Sequence, residues 1–335
     1  MRLTVFLGTG GVGKTSVAAA TALKEAMSGR KCLVLTIDPA RRLQTALRLE
    51  GGGPERVPLV TSSGGELWAE MLDVRATLTE AVQLHTKPDL AERILKHPIF
   101  ESIANSLGGM QELMAIERID QLMRRGFDNI VVDTAPSRHA LEFLEKPEYF
   151  AQLAGSHWVK LVGRTYKFVE KTGMLSLGRK TVDVYARVEE ILGANLVRQV
   201  LDFYSLFVGN AEGYSQRAEH TLKLLRDPAI SDFRVVTTPQ KALRDAQYFS
   251  RELQQRRFTL GAYYVNRVWE TAPLPERTEG IARELLDWYG DIRESHLQAI
   301  ASLQAFTASP VHLLPELVQD VGGLETLQPL AARLP

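Results

Sequence analysis

Short apolar runs rich in β-branched residues recur along the chain, separated by longer stretches whose apolar residues return every three or four positions. The runs predict strands over 3–7, 32–37, 67–73, 129–134, 233–238, 260–265 and 311–314. Several contain few polar residues, as parallel strands covered on both faces do. Helical spacing fills 16–28, 239–255 and 279–306, and Gly29 follows the first of these as a stop. Strand and helix in alternation predict an α/β fold built on a doubly wound, mostly parallel sheet. Two regions break the alternation. Residues 76–126 and 148–227 show helical spacing without a strand run, as in Val184, Val188, Ile191, Leu192, Leu196 and Val200. They read as helical additions at one end of the sheet. The expected organisation is a single domain over 1–335, with a core of 1–75, 127–147 and 228–335 and a helical subdomain from 76–126 and 148–227.

The strand at 3–7 runs directly into Gly8-Thr9-Gly10-Gly11-Val12-Gly13-Lys14-Thr15-Ser16. Glycines at 8, 10, 11 and 13 let the backbone wrap without Cβ clashes, so that amide N–H groups converge on phosphate oxygens. The helix beginning at Ser16 presents its positive end to the same anion. Lys14 suits the β- and γ-phosphates, and the Thr15 hydroxyl suits Mg²⁺. ATP and Mg²⁺ are therefore the expected cofactors. The alternative, a glycine-rich turn with an incidental lysine, does not explain why the strand precedes the loop and the helix follows it.

Three further strand ends carry polar residues. Asp133 closes Ile130-Val131-Val132 and is a candidate magnesium ligand beside the loop. Asp38 closes another strand in Thr36-Ile37-Asp38-Pro39; it is either a plain turn residue or the group that orients an attacking water. Asn266 follows Val265, and its carboxamide can pair with adenine N6 and N7 together.

Composition narrows the partners. Forty basic and forty acidic side chains cancel, so a general nucleic-acid binder is not expected. Cys32 is the chain's only cysteine and sits in an apolar run, which excludes an internal disulfide or a Cys-x-x-Cys clip within one chain. The first residues do not read as a signal peptide, no apolar stretch is long enough to span a bilayer, and a cytoplasmic protein is expected. Residues 155–181 place Lys160, Arg164, Lys167, Lys171, Arg179 and Lys180 among Trp158, Tyr166 and Phe168, with Glu170 as the single acid. Such a stretch is either a surface for an anionic membrane or a partner, or the solvated face of a packed helix.

Taken together, these motifs resemble the ArsA-type ATPases, the group of the arsenite-pump ATPases and of the ATPases that target tail-anchored membrane proteins. The loop matches, Thr36-Ile37-Asp38-Pro39-Ala40 resembles the family's first switch, and Asp133-Thr134-Ala135-Pro136 with His139 and Leu141 resembles the second. Thr237-Thr238-Pro239, Val265-Asn266-Arg267, Leu314-Pro315-Glu316 and Gly322-Gly323-Leu324 resemble its later half. The resemblance implies a P-loop NTPase fold of the deviant Walker A class and a dimeric, Mg²⁺-dependent ATP-hydrolysing switch that handles a client, a membrane protein among the candidates. It implies Asp38 and Lys14 as catalytic residues and Thr15 and Asp133 as metal ligands. The nucleotide is expected on Gly10, Gly11, Val12, Gly13, Lys14, Thr15, Ser16, Asn266 and Pro315. Helical regions of the family handle clients, often through methionines; here Met110, Met114 and Met123 cluster in the first region, where core packing explains them equally well.

The departures carry information. The family's loop begins with a lysine that reaches a partner's phosphates, and this chain has Thr9. Arg41 or Arg42 is a candidate replacement. With Cys32 alone, the metal-binding cysteines of the arsenite pump and the zinc clip of the targeting factor have no counterpart. A second reading is a slow or non-hydrolysing regulatory ATP-binding module that pairs with a related subunit, so both a homodimer and a heterodimer stay open. A third, a partitioning ATPase of the wider superfamily, fits the two switches and the long helical regions less well.

Overall fold

The computed structural model describes residues 1–38, 42–47, 49, 53–59, 63–98, 100, 110–135, 216, 217, 219–270, 280–317 and 322–335. Met1–Leu72, Gln121–Leu141 and Lys223–Pro335 form one compact unit, and Asp73–Asp120 with Glu142–Leu222 form a second.

Eight strands make one sheet among the described residues: β1 (Arg2–Leu7), β2 (Lys31–Thr36), β3 (Glu55–Val57), β4 (Glu66–Met71), β5 (Asn129–Asp133), β6 (Ser231–Thr237), β7 (Leu260–Val268) and β8 (Val311–Pro315). Their order is β3-β4-β2-β5-β1-β6-β7-β8. Every neighbouring pair is parallel except β3 with β4. The apolar runs thus mark the seven longer strands, because a strand covered on both faces has no polar side to alternate with.

Most boundaries differ from the sequence expectation by one or two residues, the helix expected from Ser16 starting at Lys14, and three differences have local reasons. The strand expected to reach Asp73 stops at Met71, since the Asp73 carboxylate accepts the Ala76 N–H at 2.8 Å and caps the next helix. The helix expected from Pro239 begins as a 3₁₀ turn, Pro239–Lys241, before regular α-helix starts at Ala242. The strand expected to end at Val265 runs on to Val268 through a break in its register with β8. Edge strand β3 spans three residues, too few for a periodic signal.

Helix α1 (Lys14–Met27) packs along the sheet. Ala18, Ala19, Ala20, Ala22 and Ala26 are fully buried there, and their small side chains permit close approach to Phe6, Val34, Val131 and Val236. Leu327, Leu330 and Ala331 of the C-terminal helix (Leu324–Arg333) join the same core. Cys32 belongs to it as well, and burial pushes its thiol up to about 12.

Connections from β1 lead first to β2 and β4 on one side and later to β6 and beyond on the other. The crossover direction reverses at β1, which opens a crevice at the C-terminal ends of the central strands. The loop after β1 and the residues after β2, β5 and β6 all leave the sheet at that edge.

The second unit contains α3 (Val74–His85), α4 (Pro88–Leu95) and most of α5 (Met110–Met123) among its described residues. Arg118 on α5, 4% exposed, donates to Glu80 on α3 at 2.6 Å. Met114 is buried and Met123 half-buried, while the Met110 side chain, Met174 and the basic stretch 155–181 lie outside the described residues. Among the described residues no helix is long and apolar enough to cross a membrane.

Candidate functional site

The loop closing β1 gets its shape from two glycines with no room for a side chain. At Gly8 a Cβ would sit 2.5 Å from the Val236 carbonyl oxygen of the neighbouring strand. Gly13 is left-handed, φ 84° and ψ 20°, and a Cβ there would overlap the Asn266 carboxamide nitrogen. Gly13 also caps α1, without a side-chain cap hydrogen bond and with no acidic residue in the helix's first turn. The helix's own first turn thus offers no carboxylate to its free amide groups and positive dipole. The loop backbone is therefore suited to an external anion.

Asp133, fully buried at the end of β5, is the hub beneath the loop. One of its oxygens accepts the Lys14 ammonium at 2.7 Å. The other accepts the Thr15 hydroxyl at 2.8 Å and the Thr36 hydroxyl at 3.0 Å. Lys14, 4% exposed, also donates to the Thr134 carbonyl. Register explains the convergence, since Asp133 stands opposite Phe6 on β1 and Thr36 on β2. A buried pair of this kind holds because every charge finds an opposite charge or a hydrogen bond. The Thr15 hydroxyl and the Asp133 carboxylate form a hard-oxygen donor set, which suits Mg²⁺ held with one or two protein ligands.

Asp38 is buried two residues past β2, and its N–H donates to the Thr36 hydroxyl at 3.2 Å. Thr36 thereby links Asp38 to Asp133. Asn266, expected just beyond a strand, lies within β7 where the register breaks, and the next residue, Arg267, has φ 62°. That left-handed residue is uncommon outside glycine, and the bulge aims Asn266 Nδ2 at the Val12 carbonyl, 2.9 Å away. Val12 is buried and Ser16 half-buried, while Gly10 and Gly11 are exposed. Pro315 ends β8, three strands from β1 and roughly 14 Å across the sheet.

Lys14, Thr15, Asp133 and Asp38 are thus brought together, Asn266 bonds to the loop, and Pro315 ends β8 at the same edge of the sheet. Arg41 lies outside the described residues, and Arg42 is described only as the first residue of α2 (Arg42–Leu47). Sequence reasoning gave no role to Thr36, Asp245 or Lys241, although all three bond into this site or its loop. Only Thr36 has a sequence signal, as the polar residue in the apolar strand run that leads to Asp38.

The profile of the anion-transporting ATPases (ArsA_ATPase) matches residues 1–335. The chain belongs to the ArsA ATPase family. A relative in Aquifex aeolicus (strain VF5), named "Putative arsenical pump-driving ATPase 1", is 25% identical over 351 residues, covering 99% of this chain and 78% of that protein. "ATPase ARSA2" of Chlamydomonas reinhardtii is 25% identical over 333 residues, with 98% of this chain and 82% of that protein covered. "ATPase get3" of Schizosaccharomyces japonicus is 26% identical over 192 residues, 56% of each chain. For this ArsA-family ATPase the loop geometry makes a direct prediction. Gly13→Ala will lower stability by more than the about 1–2 kcal/mol of a left-handed alanine, because the Cβ also displaces Asn266. Gly126→Ala is the control: its φ is 72° but nothing lies within 4 Å of the added Cβ. Urea midpoints of the two variants, compared with wild type, measure the contact; equal losses would show that Asn266 yields freely.

Proposed function

We propose that the chain is an ATP- and Mg²⁺-dependent dimeric switch, with the nucleotide at residues 10–16 and the catalytic work at Lys14 and Asp38. The convergence of Lys14, Thr15 and Thr36 on buried Asp133 supports this reading above all else. Asp133 and the Thr15 hydroxyl would hold Mg²⁺, which supplies neutralising charge at the β- and γ-phosphate oxygens. Lys14 shifts its ammonium from Asp133 to the phosphates. Asp38, tied through Thr36 to Asp133, orients the attacking water and feels any change at Asp133 through two hydrogen bonds. Asn266 keeps the loop in shape from below, and Pro315 borders the adenine side. A core of 1–75, 127–147 and 228–335 does the chemistry, and a helical subdomain from 76–126 and 148–227 handles a client, a membrane protein or a membrane surface reached through 155–181.

One observation favours a slower, regulatory version that works with a related subunit. Position 9 carries no charge, and the Thr9 hydroxyl is turned toward Asp245 at 3.0 Å. Single-turnover ATP hydrolysis at rising protein concentration, with Mg²⁺ or with EDTA, separates the readings. The switch predicts Mg²⁺-dependent turnover whose rate per chain rises with concentration. The regulatory module predicts tight ATP binding with hydrolysis that stays slow until a partner subunit is added. Absence of ATP binding would reject both.

A further inference from the structure

The loop is gripped from one side by α6 (Ala242–Arg256) and the turn before it. Thr9 Oγ1 donates to Asp245 Oδ2 at 3.0 Å, and Thr237 Oγ1 donates to the same oxygen at 3.0 Å. Asp245 is 1% exposed and lies in the first turn of α6. Four residues earlier, on the same side of the helix start, Lys241 donates from Nζ to the Gly10 carbonyl at 3.2 Å. A carboxylate beneath Thr9 and an ammonium on Gly10 thus hold adjacent loop residues.

The two lysines at the loop differ in setting. Lys14 Nζ is buried under the loop and paired with Asp133. The Lys241 bond is exposed, so its ammonium stands at the solvent side of the glycine loop. One neutral carbonyl uses a single one of an ammonium's three donors, and an exposed bond of this type adds little stability. An ammonium held at the mouth of an amide-lined anion site is better matched to a phosphate oxygen. A lysine acts there as a mobile point charge.

We propose that Lys241 is a phosphate-binding residue of this ATPase, supplying the loop's second cation within one chain and acting on the terminal phosphate of ATP. The Thr9–Asp245 contact fixes the stretch of loop beside which that cation stands. The inference rests on the ATP-binding reading above and adds a residue to it.

Equilibrium titration of the full chain with fluorescent ATP and ADP analogues, in Mg²⁺ at low and high salt, tests it without relying on turnover. Lys241→Ala is expected to weaken ATP binding about tenfold, the scale of one charge-assisted hydrogen bond. ADP binding should change less, and the salt dependence of ATP affinity should flatten because one screened charge is gone. Lys241→Arg keeps the charge and should restore most of the affinity. An unchanged ATP affinity in Lys241→Ala overturns the proposal. Equal loss for ATP and ADP together with a lowered melting midpoint also overturns it, by showing that the lysine only props the loop. Wild-type protein that binds no ATP overturns the ATP-binding reading itself and this inference with it.

Discussion

Asp133→Asn is expected to abolish measurable ATP hydrolysis and to destabilise the protein by about 3–5 kcal/mol, the cost of breaking a buried ion pair by removing one partner. Asparagine keeps the size of the side chain but not its charge. Lys14, 4% exposed, is then left with the Thr134 carbonyl and no anion. The hydroxyls of Thr15 and Thr36, which both donate to one carboxylate oxygen, would face a group that is half donor. The hydrolytic loss follows from the proposed magnesium role and the stability loss from the pair itself, so the two can be separated. Adding Lys14→Met to Asp133→Asn removes the stranded charge. The double variant should recover much of the lost stability while staying inactive, and the coupling energy from the four urea curves measures the pair. A double variant whose loss equals the sum of the two single losses would show that Lys14 and Asp133 do not act as a unit.

The hub also shows what the chain reveals locally and what it conceals. Lys14, Thr15 and Asp133 are legible because each sits in a short pattern, a glycine loop or a strand-closing acid, whose physical purpose can be named residue by residue. The strands are legible because burial on both faces writes itself as an apolar run. Partnerships are not legible in this way. Thr36 meets Asp133 only because β2 and β5 are neighbours in register, across 97 residues of sequence. Asp245 and Thr9 are 236 positions apart, and nothing around either residue announces the other. Asn266 was visible as a polar residue at a strand's end. The bulge at Arg267 that turns it toward Val12 depends on pairing with β8, which is a tertiary event. Pro315, placed on the adenine side by resemblance, ends a strand three places from β1, a distance set by sheet order and not by any local pattern. The basic stretch 155–181 and the candidate Arg41 lie outside the described residues and stay where the sequence put them.

Asp38→Asn should dissociate catalysis from binding. The substitution is nearly isosteric at a residue 4% exposed, and the bond that positions this backbone comes from the N–H group to Thr36 Oγ1, which asparagine retains. Thr36 still reaches Asp133, so the loop, the Lys14 pair and the oxygen donor set are untouched. The substitution removes a carboxylate able to accept a proton or a water hydrogen bond, and positioned groups of that type contribute about 10²–10⁴-fold to rate. The expected result is a kcat lower by about that factor with the ATP dissociation constant unchanged, the signature of an interaction made only in the transition state. Asp38→Asn leaves the buried Lys14–Asp133 ion pair intact, which Asp133→Asn breaks, so comparing the two variants separates the catalytic loss from the cost of that pair. A variant that binds ATP poorly would place Asp38 among the nucleotide-holding residues. One with undiminished kcat would return it to an ordinary turn before Pro39. A protein arrested with ATP in place follows from the expected result, and it is the form in which a client or a second subunit should be captured.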